Sequence, residues 1–298
     1  MAFGLVLIFL TGILWCANGI VLSYITRKSM DFISYISVQA ALNMVGAWLF
    51  IGDIRLVMCG NIDRLAQLNI LMLGSGFTGI IGTIFMQKAM RTGHHGIIYT
   101  IAQSAMIIPF ITGVVLFSER FQLLNMIGMV LVVVSIMAFG MERTNSKQQS
   151  HGMTSNAWFY LALLSLLAIG LTQTLTTVPS YWINWSDEAN LRVPLLMTGS
   201  ALVLFIIAII QKTQFTKKSI LIGTSSSFFV LPSTFIFFKA MDVLAQHNKV
   251  ALAYPLAVGI NILSFAIYSM FMIKEKTTLM HILGIVTGFT GLMLISIY

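Results

Sequence analysis

The stretch Thr83-Ile84-Phe85-Met86-Gln87-Lys88-Ala89-Met90 returns 151 positions later as Thr234-Phe235-Ile236-Phe237-Phe238-Lys239-Ala240-Met241. A second echo follows it. Glu119 and Gly128 return as Glu275 and Gly284 at an offset of 156, and a basic residue, Arg120 or Lys276, follows each glutamate. The features keep their order with five positions inserted between them, so the chain reads as two related halves.

What surrounds those halves follows from composition. Of 298 residues, 58% are hydrophobic and 9% charged, whereas a soluble domain carries about 25% charged residues. One core of this size cannot hide so much apolar surface from water, and hydrocarbon removes the difficulty. Ten apolar runs cover about 3–25, 33–51, 69–90, 95–117, 121–141, 156–178, 193–210, 219–241, 249–273 and 277–297. Most are near the ~20 residues that carry a helix across a bilayer. They are continuously apolar, not alternating, which favours helices over barrel strands. The first run has no charged start and is too long for a signal-peptide core, so it reads as a permanent span.

The longest polar stretch lies near the middle of the chain. It gives residues 1–141 as the first five-helix repeat, 142–155 as a polar linker and 156–298 as the second repeat. An odd number of spans per copy turns the copies upside down relative to each other, as in inverted-repeat transporters. The expected fold is therefore an all-α membrane protein of ten transmembrane helices in two inverted five-helix repeats. The net charge of +8 sits between apolar runs, where it meets lipid headgroups, so the lipid bilayer and not nucleic acid is the expected partner. Cys16 and Cys59 have neither a disulfide pattern nor metal-ligand spacing.

Several residues resemble the drug/metabolite transporter superfamily, in its EamA-type ten-helix branch, over nearly the whole chain. They are Leu14-Trp15 with Asn18, the stretch from Ala89 to Ile108 followed by Pro109, Glu119-Arg120 with Gly128, and Glu275 with Gly284. The chain departs from that pattern at Cys16, where the family usually has glycine, and at Gln39, near a common arginine. It also has no second-half counterpart of Pro109, only Pro255 further toward the start of its helix. The resemblance implies ten helices around a central cavity, alternating access, and metabolites or drugs as cargo. It places both termini in the cytoplasm of a multi-pass protein of the plasma membrane, a bacterial inner membrane. That orientation leaves six of the 17 basic residues inside, Arg55, Arg64, Arg120, Arg192, Lys239 and Lys249. The positive-inside rule favours the reverse.

A transport site needs polar groups facing a cavity, because an unpaired amide in lipid costs several kcal/mol. Gln39 and Asn43, Tyr99 and Gln103, and Gln173 and Thr177 are pairs four apart, each on one helix face. Tyr254, Asn261 and Tyr268 form a stripe at spacing seven, and Trp15 with Asn18 offers an aromatic wall and an amide. The plainer reading of such groups is hydrogen bonding between helices. The substrate-binding set is accordingly Trp15, Asn18, Gln39, Asn43, Tyr99, Gln103, Gln173, Tyr254, Asn261 and Tyr268.

No Asp or Glu stands at the centre of an apolar run, so proton or ion coupling is not evident. Glu119 and Glu275 read as acids in the first turn of their own helices, with a proton site as the alternative. Lys88 and Lys239 read as snorkelling cations or as cavity-mouth cations. Trp158, Trp182 and Trp185 read as interfacial anchors. Pro109 and Pro232 are expected to kink their helices, and Gly74, Gly76, Gly79, Gly82, Gly284, Gly288 and Gly291 to allow close helix contact.

No cluster of catalytic groups is visible, so no enzyme is expected, nor any cofactor or metal. The expected function is secondary transport of a small polar or amphipathic metabolite such as an amino acid, sugar or nucleoside, by a monomer or homodimer. Export of apolar drugs through a cavity lined by Met and Phe is the alternative within transport. A membrane scaffold that moves nothing is the alternative outside it.

Overall fold

A computed structural model describes residues 1–27, 30–59, 62–92, 95–119, 122–145, 157–182, 188–268, 271–272 and 279–296. Arg120, Trp185, Glu275, Lys276 and residues 146–155 of the expected linker lie outside that set. Every regular element among the described residues is helical. In chain order these are α1 (Ala2–Arg27), α2 (Phe32–Phe50), α3 (Ile54–Cys59), α4 (Ile62–Thr92), α5 (His95–Gln103), α6 (Ile107–Phe117), α7 (Leu123–Asn145), α8 (Ala157–Thr177), α9 (Arg192–Ile210), α10 (Lys217–Ala245), α11 (Ala253–Tyr268) and α12 (Leu279–Ser296). Among the described residues, seven helices are long and apolar enough to cross a membrane, and they fall on α1, α2, α4, α8, α9, α10 and α11. Three shorter apolar stretches, Ile101–Phe117, Leu123–Ala138 and Ile282–Ile295, occupy the other expected runs. Large apolar side chains such as Leu49, Phe50, Phe205 and Ile210 are exposed, the surface of a membrane-embedded helical protein.

Helix ends follow local chemistry. Asp31 caps α2 by accepting from the Ile33 and Ser34 amides at 3.2 and 3.3 Å. Before α10, the Thr216 and Ser219 hydroxyls accept reciprocally from each other's amides at 3.1 and 3.0 Å. The run expected at 95–117 is not one helix: a 3-10 turn, Ser104–Met106, separates α5 from α6. Pro109, just beyond it, brings no amide hydrogen to close an α-helical bond across that turn. Pro232, by contrast, lies inside an unbroken α10.

The chain forms two compact units that draw on both sequence halves: unit 1 is Met1–Ile80 with Leu175–Ala245, and unit 2 is Ile81–Thr174 with Gln246–Tyr298. In unit 1, α1 packs on α10, and α2 packs on α9 and α10. The first part of α4 lies on α9 through Gly76 and Gly199, where an added Cβ would run into the backbone of Leu196 and Leu73. Its apolar centres are Ile25, Phe32 and Tyr35, and Leu65, Leu68, Met72, Leu191 and Leu195, the latter packed by Trp182.

In unit 2, Met86, Ala89, Ile98, Ala102 and Ala162 form a core against which Trp158 packs. There α7 lies antiparallel on α12. A Cβ on Gly128 would stand 2.7 Å from the Gly291 carbonyl oxygen, Gly291 also faces Val132, and Gly288 faces Ser135. The Ser135 hydroxyl donates to the Gly284 carbonyl. Asn125 fixes one end, its side-chain amide donating to the Leu294 and Ile295 carbonyls at 3.4 and 3.0 Å.

Candidate functional site

In unit 1, α1, α2 and α10 converge on a cluster of uncharged polar side chains. The Asn18 carbonyl oxygen accepts from the Ser226 hydroxyl at 2.8 Å and from the Gln39 amide at 3.5 Å. Ser226 Oγ also lies 2.8 Å from the Tyr35 hydroxyl. Its single proton goes to Asn18, so Tyr35 is the donor in that bond. Ser227 donates to the Gly223 carbonyl at 2.9 Å with the Gln39 backbone carbonyl 3.3 Å away, and Ser34 donates to Ser219 at 2.8 Å near the first turns of α2 and α10. Trp15 stacks obliquely on Phe237, ring centres 5.1 Å apart.

Asn43 is one turn beyond Gln39 on α2. It is 2% exposed, and its Oδ1 has no hydrogen-bond partner. Most buried side-chain oxygens are satisfied, and a solute donor is one group that would fit here. The chemistry of this face is neutral: amides, hydroxyls and one indole, able to donate and accept but not to hold a bare charge.

A second polar group of unit 1 is ionic. Arg192, the first residue of α9, is 0% exposed and donates to Asp242 Oδ1 at 2.7 Å, while Asp242 is 23% exposed. The same guanidinium donates to the Thr176 carbonyl at 2.6 Å and lies 4.3 Å over the Phe238 ring. The Ser180 hydroxyl donates to Asp242 Oδ1 at 3.0 Å. Sequence reasoning took Arg192 for a loop cation. The available signal was that Val243-Leu244-Ala245 extends the apolar run beyond Asp242, and that Leu191 extends the next run back past Arg192.

The other expected site residues belong to unit 2. Tyr99 and Gln103, half-buried, stand one turn apart on α5, and Gln173 is buried on α8. On α11, Tyr254 is buried while Asn261 and Tyr268 are half-buried. Tyr268 packs on Phe265 with ring centres 6.1 Å apart. Hydrogen bonds thus join Asn18 to Gln39 among the expected residues, and add Tyr35 and Ser226, which had not been expected. Lys88 and Lys239 are exposed, Lys239 over the Phe235 ring at 5.8 Å.

Glu119 does something other than start its own helix, which begins at Leu123. Buried, it accepts from the Val250 amide at 2.8 Å and from the Ala251 amide at 3.2 Å, capping the 3-10 turn Val250–Leu252 that leads into α11. No group of three or more His, Cys, Asp or Glu side chains stands together to hold a metal among the described residues.

No family model matches the chain, and no curated protein matches it by sequence. Solved structures do, with 28 matching chains. One, described only as a crystal structure of a protein, superposes with a TM-score of 0.70 over 98% of this chain and 96% of its own, at 9% identity. The two share a fold, and identity that low carries nothing about activity.

Proposed function

We propose that this chain is a secondary transporter of a small, polar or amphipathic metabolite, built as ten membrane helices in two inverted repeats and related to the EamA-type drug/metabolite transporters. The observation that carries the reading is the α7–α12 interface. At the sequence offset of 156, Gly128, Val132 and Ser135 correspond to Gly284, Gly288 and Gly291. The contacts exchange under that correspondence: Gly128 meets Gly291 while Ser135 meets Gly284, and Val132 meets Gly291 while Ser135 meets Gly288. Residue i of one copy touching residue j of the other, and the converse, is the mark of a two-fold relation. Because the two helices run antiparallel, the relation supports copies of opposite direction, the framework of inverted-repeat carriers.

The cargo class is supported by the uncharged cluster of Asn18, Tyr35, Gln39 and Ser226 and by the open acceptor of Asn43. A neutral solute, or a neutral part of a larger one, satisfies such groups without a buried charge. The test is solute flux into proteoliposomes with a broad panel of sugars, nucleosides, amino acids and apolar drugs. Flux of a polar solute that falls when Asn43 becomes Leu supports the reading. Flux of apolar drugs alone favours the exporter of apolar compounds, and silence from folded protein across the panel leaves the scaffold.

A further inference from the structure

The chain passes between its two compact units at three places: Ile80 to Ile81 within α4, Thr174 to Leu175 within α8, and Ala245 to Gln246 at the end of α10. The buried ion pair of unit 1 lies beside two of them. Arg192 binds the carbonyl of Thr176, two residues past the crossing in α8, and the carboxylate of Asp242, three residues before the crossing that ends α10. Ser180, in the 3-10 turn Val178–Tyr181 that follows α8, adds a bond to the same carboxylate oxygen. One guanidinium therefore ties the start of α9 to both crossings.

Its chemistry limits what it can do. A guanidinium stays charged in proteins, and a buried charge that loses its partner is strongly unfavourable. The carboxylate of Asp242, 2.7 Å away, is one such partner, and a carboxylate already engaged by a guanidinium is not a separate ligand for a solute. The guanidinium is fully buried, with Phe238 across one face, so it is not presented to an incoming anionic solute either. What the geometry leaves is a mechanical role: the pair is made in this structure, and a bistable element needs a second arrangement in which it is broken.

We propose that the Arg192–Asp242 pair is a conformational clasp that holds the α8 and α10 crossings against the start of α9 and releases them once per transport cycle. The release rests on the transport reading; the holding does not. Two measurements on the full chain in lipid nanodiscs and proteoliposomes separate them. Removing one charge threatens folding, so the decisive variant is the neutral pair Arg192→Met with Asp242→Leu, which removes both charges of the pair together.

Backbone amide exchange in residues 176–182 and 242–245 of this double variant is expected to quicken about 10-fold or more, with the α7–α12 interface unchanged. Unchanged exchange at the crossings, or an equal rise throughout the protein, overturns the clasp. For a solute that the unaltered protein carries, the flux rate of the double variant is expected to shift by about 3-fold or more at unchanged thermal stability. Loosened crossings with unaltered flux overturn the release step. If the unaltered protein carries no solute of the panel while the crossings still loosen, the transport reading falls and the holding role stands.

Discussion

The two units use their polar residues differently. In unit 1, side chain meets side chain at Arg192 with Asp242, Ser180 with Asp242, and Asn18 with Ser226 and Gln39, beside the bond of Arg192 to the Thr176 carbonyl. In unit 2, three polar contacts of α7, α11 and α12 among the described residues end on backbone: Glu119 on the Val250 and Ala251 amides, Asn125 on the Leu294 and Ile295 carbonyls, and Ser135 on the Gly284 carbonyl. A backbone partner is fixed by the helix that carries it. A side-chain partner can rotate away and be replaced, by water or by a solute. The comparison makes unit 2 the stiffer frame and places exchangeable chemistry in unit 1.

The largest effect that can break this contrast is expected at the ion pair. Asp242→Leu takes the Asp242 carboxylate away from a fully buried guanidinium and should cost about 3–5 kcal/mol, recovered when Arg192→Met is added. Denaturant titration in detergent measures both, and equal loss in the single and double variants would show that packing, not charge, matters there. Next comes the frame. Gly128→Leu drives a side chain into the Gly291 backbone and should destabilise by about 1–3 kcal/mol, read as a lowered melting temperature; a neutral result means that the α7–α12 contact is loose.

Glu119→Ala strips a buried acceptor from two amides and should cost about 1–2 kcal/mol. Amide exchange at Val250 and Ala251 should rise with it, and protection that stays in place removes Glu119 from its capping role. The smallest stability change is expected at Asn43→Leu, about 0.6 kcal/mol or less in either direction, because one polar side chain in a membrane bundle contributes little. Its effect should appear in flux instead. Loss of stability without loss of flux would reassign Asn43 to the frame and blur the contrast.

Much of the helical layout was legible because hydropathy alone marks a long apolar run. It was legible least where polar residues sit inside helices. The third run was expected from 69, yet α4 begins at Ile62, since Asp63, Arg64 and Gln67 hide its first turns. The ninth was expected as one helix from 249, whereas it opens with a 3-10 turn at Val250–Leu252 before α11 begins at Ala253.

Partners at a distance were not legible at all. Helical spacing relates residues three, four or seven apart, so it brought out Gln39 with Asn43 and the stripe on α11. Nothing in such spacing connects Arg192 with Asp242, or Glu119 with the amide of Val250, 131 positions on. Tyr35 and Ser226 were missed for the same reason: each gains meaning only from Asn18 on a third helix.

Those distances also set a timetable for synthesis. Arg192 leaves the ribosome 50 residues ahead of Asp242, so for that interval this ion pair cannot form. A charge without its mate stays near the headgroups more cheaply than inside hydrocarbon. The start of α9 is thus expected to wait at the bilayer surface and sink only as the end of α10 emerges. A translation-arrested chain stopped before Asp242, probed for water access at position 192, would catch it waiting.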